Sequence, residues 1–217
     1  MRCLAAALAT LLSACSAEAC DVALALTVDV SGSISPQEYN LQMNGLARAL
    51  DDTSVADALV SAQAQVAVIL WSGASRQEIS IEWRQMNSLD DIENLSAQVR
   101  QIERPWRHFS TAIGEMLAIT GPLFDQVACK RNVIDVSGDG ISNEGEIPDQ
   151  VRDRLVANGI HINALAILGA SDEDLVQYYT SHVIGGENAF VYSAQDYEDY
   201  PRAIRRKLLD EITEPVS

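Results

Sequence analysis

From Val22 to Val30 the sequence reads VALALTVDV, a run apolar at almost every position and carrying Asp29 near its end. A strand buried on one face alternates apolar and polar side chains. A continuous apolar run instead reads as a central strand with helices packed on both sides of its sheet. The rest of the chain follows that lead. After Pro36, residues Tyr39, Met43, Leu46, Ala47 and Leu50 recur at helical spacing, with Ser35 placed to cap and Pro36 at the first helical position. Ala64 to Trp71 (AQVAVILW) predicts a second buried strand, and Glu78 to Trp83 (EISIEW) alternates as an edge strand does after the Ser72-Gly73 turn. Helices are expected over Leu89 to Ile102 and Thr111 to Val127, then strands at Asn132 to Val136, His161 to Leu168 and Ala189 to Tyr192. Further helices fit at Ile147 to Asn158, Asp172 to Thr180 and Ala194 to Ile212. This order predicts one three-layer, doubly wound (Rossmann-like) α/β domain whose mostly parallel sheet has one antiparallel edge strand.

Composition removes several classes of function. Asp and Glu number 31 against 15 Lys and Arg, a formal charge of -16, which repels phosphate backbones and argues against a nucleic-acid partner. The lysines, Lys130 and Lys207, do not stand in a GxxxxGK context, so the usual nucleotide-phosphate signature is missing. No window after the N-terminal segment is long and apolar enough for a transmembrane span.

Residues 1–19 read as a processing segment: Met1 and Arg2 are followed by an apolar stretch from Cys3 to Leu12. Two endings are open. Ala17-Glu18-Ala19 is a signal-peptidase pattern, whereas Leu12-Ser13-Ala14-Cys15 resembles a lipobox whose Cys15 would carry a lipid anchor. Either way the domain, residues 20–217, is expected to be exported to the periplasm or beyond. Cys20 and Cys129 then remain in an oxidising compartment. In a 3-2-1-4-5-6 sheet the first and fourth strands are neighbours, and the two cysteines precede Asp29 and Asp139 by nearly equal distances, so a disulfide across those strands is predicted.

Doubly wound sheets bind ligands beyond the carboxyl ends of their strands. There the first strand ends in Asp29-Val30-Ser31-Gly32-Ser33, the fourth in Ser137-Gly138-Asp139-Gly140, and a third loop in Ser110-Thr111. Oxygen donors without Cys or His suit a hard divalent cation. These motifs resemble the von Willebrand factor A (vWA) domain family, whose metal-ion-dependent adhesion site (MIDAS) uses Asp-x-Ser-x-Ser, a Thr and a further Asp. The resemblance runs from about Cys20 to the last helix and implies Asp29, Ser31, Ser33, Thr111 and Asp139 as the metal set. It also implies Mg²⁺, or Mn²⁺ or Ca²⁺, as cofactor, and a protein partner whose Asp or Glu carboxylate completes the ion's shell. More narrowly, VDVSGS and VIDVSGDG look like a secreted bacterial group of the superfamily with no assigned function. Two phrases depart from the pattern: Ser137-Gly138-Asp139-Gly140 replaces the common Thr-Asp-Gly, and Phe109-Ser110 replaces Gly-Gly before Thr111.

The motifs contain no catalytic His or Lys and no GxSxG elbow, so a binding module is the primary reading. A Mg-dependent hydrolase using the same aspartates and a metal-free scaffold are the alternatives. Trp106, Arg107 and His108 either line the site mouth or belong to a loop packed by its tryptophan. Asp135 is expected to be structural, paired with a group such as Arg131. Arg202, Arg205, Arg206 and Lys207 are expected on a solvated helix face, and His161 and His182 to have no site role.

Overall fold

The computed structural model describes residues 20–169 and 173–213. The expected processing segment, the Cys15 lipidation site and the expected helix start at Asp172 lie outside the described residues.

The element order is β1 (Val22–Asp29), α1 (Pro36–Leu50), α2 (Thr53–Ser61), β2 (Gln65–Trp71), β3 (Gln77–Gln85), α3 (Leu89–Gln101), α4 (Ile113–Thr120), a 3₁₀ segment (Gly121–Gln126), β4 (Arg131–Gly138), α5 (Pro148–Ala157), β5 (Ile160–Ile167), α6 (Glu173–His182), β6 (Val191–Ala194) and α7 (Tyr200–Thr213). The six strands lie in the order β3-β2-β1-β4-β5-β6, with β3 antiparallel to β2 and every other pair parallel. β1 is therefore interior and buried along its whole length, as its unbroken apolar run requires.

The two faces of the sheet are packed differently. Leu24, Leu26 and Val28 of β1 meet α1, α2, α3 and α7 on one face. Ala23 and Ala25, with Ala67, Ala164 and Ala166, lie on the other against Ile113, Met116 and Leu117 of α4 and against α5 and α6. Small side chains on that face let the helices approach the strands closely.

Local chemistry accounts for most boundaries. Ser35 and Glu38 form a reciprocal capping box at the start of α1, with Pro36 where its missing N–H is not needed. The structure adds α2, a helix absent from the sequence expectation, capped by Asp52 through the amides of Ser54 and Val55. The helix expected over Thr111 to Val127 is shorter: Thr111 and Ala112 precede it, and the stretch containing Pro122 tightens into the 3₁₀ segment, where proline supplies no N–H.

Cys20 and Cys129 form the predicted disulfide, with Cα atoms 4.6 Å apart. Each stands two residues before a register pair, Val22 with Arg131, so the bridge continues the β1/β4 ladder. Beneath α7 the buried charges differ from expectation. Lys207 is fully buried rather than solvated, its Nζ 2.7 Å from Asp135 and 2.6 Å from Glu211. Asp135 thus takes Lys207 as its ionic partner, while Arg131 donates to the Glu211 and Ile212 carbonyls at the end of α7. Arg202 and Arg205 follow expectation in exposed pairs with Asp199 and Asp52. Among the described residues no helix is long and apolar enough to cross a membrane.

Candidate functional site

The carboxyl ends of β1 and β4 are adjacent, and the loops leaving them meet the segment that enters α4. The Asp29 carboxylate turns back on its own loop, its Oδ1 accepting the Ser31 amide at 2.7 Å. Ser31 and Ser33 hydroxyl oxygens lie 3.4 Å apart, and the Ser33 hydroxyl donates to Asp139 Oδ1 at 2.8 Å. A Cβ built on Gly140 would lie 3.9 Å from Thr111 Oγ1, so the threonine stands beside the Asp139 loop. All five residues singled out from the sequence therefore converge on one crevice.

Glycine leaves room where these loops touch. A Cβ on Gly32 would sit 3.1 Å from the Phe109 carbonyl, which accepts the Gly32 amide at 2.8 Å. One on Gly138 would lie 2.6 Å from the Tyr179 hydroxyl and 3.1 Å from Asp29 Oδ2. The segment before Thr111 lacks a glycine pair, and His108 instead takes the left-handed conformation at φ 63°. Ser72 holds this segment by donating to the Ser110 carbonyl and accepting the Ala112 amide at its own carbonyl. Asn143 does the same from the other side, accepting the Thr111 amide through its side chain and donating its own amide to the Thr111 carbonyl.

The electrostatics of the crevice are unbalanced. Asp29 is fully buried and its Oδ2 has no hydrogen-bond partner. Burial, reinforced by the neighbouring Asp139 charge, pushes the Asp29 carboxyl up to about 8. Burial likewise raises Asp139, against the hydrogen bond from Ser33. Two tyrosines close the back of the site. Tyr179 donates to the Gly140 carbonyl at 3.2 Å, and burial with the two aspartates holds its hydroxyl well above the ordinary phenol range. Tyr197 lies beside Asp139 and is raised by the same causes. Arg104 supplies countercharge from below, its guanidinium donating to the Val30, Ser31 and Ile34 carbonyls at 2.7 to 2.9 Å.

Tyr179, Tyr197, Arg104 and Asn143 were not found by sequence reasoning. Only Asn143 carried a signal, standing four residues after Asp139 in the same polar loop. Of the residues left open, Trp106 packs against the core, while His108 is exposed. His182 pairs with Asp149 at 3.0 Å and packs on Tyr178, whose hydroxyl accepts the Ser142 amide.

The donor set fits a hard cation. Two carboxylates and three hydroxyls face one crevice, and a buried oxygen of Asp29 lacks a partner. Among the described residues no three His, Cys, Asp or Glu side chains cluster so as to share a metal, so the set depends on hydroxyl oxygens.

Residues 19–216 match the family model described as "Protein of unknown function (DUF1194)". No curated protein sequence matches the chain. Among solved structures it is similar to proximal thread matrix protein 1 from the mussel byssus with a zinc-occupied MIDAS motif, at 17% identity and a TM-score of 0.65, covering 88% of this chain and 48% of that one. It is also similar to a von Willebrand factor type A protein from Catenulispora acidiphila, at 14% identity and a TM-score of 0.62, covering 89% and 43%. A third similarity is to the pilus adhesin SpaC from Lactobacillus rhamnosus GG in its open conformation, at 14% identity and a TM-score of 0.65, covering 90% and 30%. The chain thus spans less than half the length of these three structures. At such identities the likeness shows the fold.

Proposed function

The chain belongs to the DUF1194 family and has the vWA fold, and from that premise we propose that it is an exported binding module using a divalent cation to hold a carboxylate of a protein partner. The proposed ligands are Asp29, Ser31, Ser33, Thr111 and Asp139. The observation that carries the reading is the Asp29 carboxylate, fully buried with Oδ2 unpartnered and a second carboxylate across the crevice. Ionising a carboxyl buried in this way is costly, and a cation beside it offsets that cost. The zinc-occupied MIDAS motif of the mussel protein supports a divalent ion in this fold. All-oxygen donors favour Mg²⁺ here, with Mn²⁺ or Ca²⁺ as close substitutes.

The residues divide the work. Asp29 and Asp139 balance the ion's charge, the three hydroxyls contribute neutral oxygens, and an ion held this way keeps a position for a ligand carboxylate. Tyr179 and Arg104 hold the two carboxylate loops in place by hydrogen bonds to backbone carbonyls. The disulfide suits an oxidising compartment, and the likeness to a pilus adhesin supports a role in contact with other proteins. A surface carrying -16 steers neutral or basic partners, so the gripped acidic residue is expected to protrude from an otherwise non-acidic patch.

Thermal melts of the purified protein with Mg²⁺, Mn²⁺ and Ca²⁺ against chelator test the reading. An ion at about 100 times its Kd should stabilise by about 2.7 kcal/mol, and Asp139→Ala should abolish the shift. Melts that no ion moves, or that move equally in Asp139→Ala, reject it.

A further inference from the structure

Six large apolar side chains are conspicuously exposed among the described residues, and Phe109 and Ile141 stand on the loops that carry Thr111 and Asp139. Each is two residues from a proposed metal ligand. Phe109 is 41% exposed and Ile141 52%. Phe109 is not a loose side chain. Its carbonyl is held by the Gly32 amide, the preceding residue is in the left-handed conformation, and the Arg76 guanidinium lies over its ring at 4.6 Å. The Arg76 loop is in turn tied across the crevice mouth, the Ala74 amide donating to Glu144 at 3.0 Å. An aromatic ring with a stacked arginine, fixed but left in water, has the composition of a binding hot spot.

We infer that Phe109 and Ile141 form an apolar seat flanking the cation, so that the partner segment presents its Asp or Glu with an aliphatic or aromatic residue directly beside it. This rests on the proposed function and narrows its partner class. Charge supports the same occupant. Once a divalent ion has offset Asp29 and Asp139, the mouth carries both signs, Arg76 over the Phe109 ring and Glu144 bonded to the Ala74 amide, which suits a ligand with one carboxylate for the ion and apolar neighbours. A strongly basic segment would lose Arg76 as a partner, and a polyacidic one would meet the protein's overall charge.

Short peptides on a Gly-Ser background, coupled to beads, provide the probe. One carries a lone Asp, one Leu-Asp, and one Leu-Asn. With Mg²⁺ present, the Leu-Asp peptide should bind about tenfold or more tightly than the lone Asp, since burying one leucine is of that order. The double variant Phe109→Ser/Ile141→Ser should lose that advantage while keeping the wild-type Mg²⁺-induced melting shift. Equal binding of the Leu-Asp and lone-Asp peptides while the melting shift is present overturns the apolar seat alone. Absence of the melting shift, no binding of either peptide while the shift is present, or Leu-Asn binding as tightly as Leu-Asp, instead overturns the cation-held carboxylate on which the inference rests.

Discussion

A carboxylate buried at the end of a strand with one oxygen unpartnered destabilises its own protein until something positive reaches it. Asp29 is in that position, and Asp29→Asn separates its two consequences. The amide keeps an oxygen for the Ser31 amide but removes the buried acid. In chelator this variant should be more stable than the wild type by about 1 to 3 kcal/mol in urea unfolding, and it should show no further gain with Mg²⁺. A variant that loses stability in chelator would mean that Asp29 is already satisfied without an ion. At this scale the sequence was a good guide to the crevice: Asp29, Ser31 and Ser33 lie within one turn and Asp139 within another, and turn chemistry acts over a few residues. The supports were not visible in it. Tyr179 reaches the site from α6 and Tyr197 from the segment before α7, and nothing in their neighbours distinguishes them from core tyrosines.

At the scale of elements, α7 is docked through charge as well as apolar packing. Lys207 and Glu211 stand one turn apart on its buried face, with Asp135 of β4 opposite and Asn163 of β5 against Glu211. Two carboxylates share one lysine, so burial, with Asp135 next in weight, pushes Glu211 up to about 8 from an ordinary 4.5. Between those values the folded protein holds a proton that the unfolded chain has released, so stability falls as pH rises from about 4.5 to about 8 and levels beyond. Glu211→Gln removes this slope. The gap between the variant and the wild type should be small at pH 5 and reach about 1 to 3 kcal/mol at pH 8, read from urea midpoints. A constant gap across that range would show that Glu211 does not retain the proton. Lys207→Met leaves the acids uncompensated and should cost about 3 to 5 kcal/mol at pH 8. The helix itself was legible as an element, but its basic residues read as one solvated group. Only docking against β4 separates Lys207 from Arg202 and Arg205. α2 was missed although its Asp52 cap stood in the sequence, because nine residues following directly on α1 leave little periodicity to detect.

Across the whole molecule, the crevice lies at one end of β1 and β4 and the disulfide just before their other end. The bridge closes a sequence separation of 109 residues, so replacing both cysteines by serine should lower stability by about 3 to 5 kcal/mol in urea unfolding. Because the bridge and the crevice are at opposite ends, that variant should keep its Mg²⁺-induced melting shift. An unchanged urea midpoint would remove the disulfide from any role in stability. The sequence by itself determined the layered α/β class, the interior position of β1 and the pairing of Cys20 with Cys129, while its resemblance to the vWA family picked out the five oxygen-bearing residues. The first three follow from patterns that operate over one strand or one turn, combined with a sheet order that admits few alternatives. Tertiary structure alone decided which buried charge meets which, how the segment before Thr111 turns through a left-handed His108, and which tyrosines close the crevice. Those outcomes depend on how helices and loops distant in sequence dock on the sheet, and the free energy of burying a polar group exists only once its neighbours are in place.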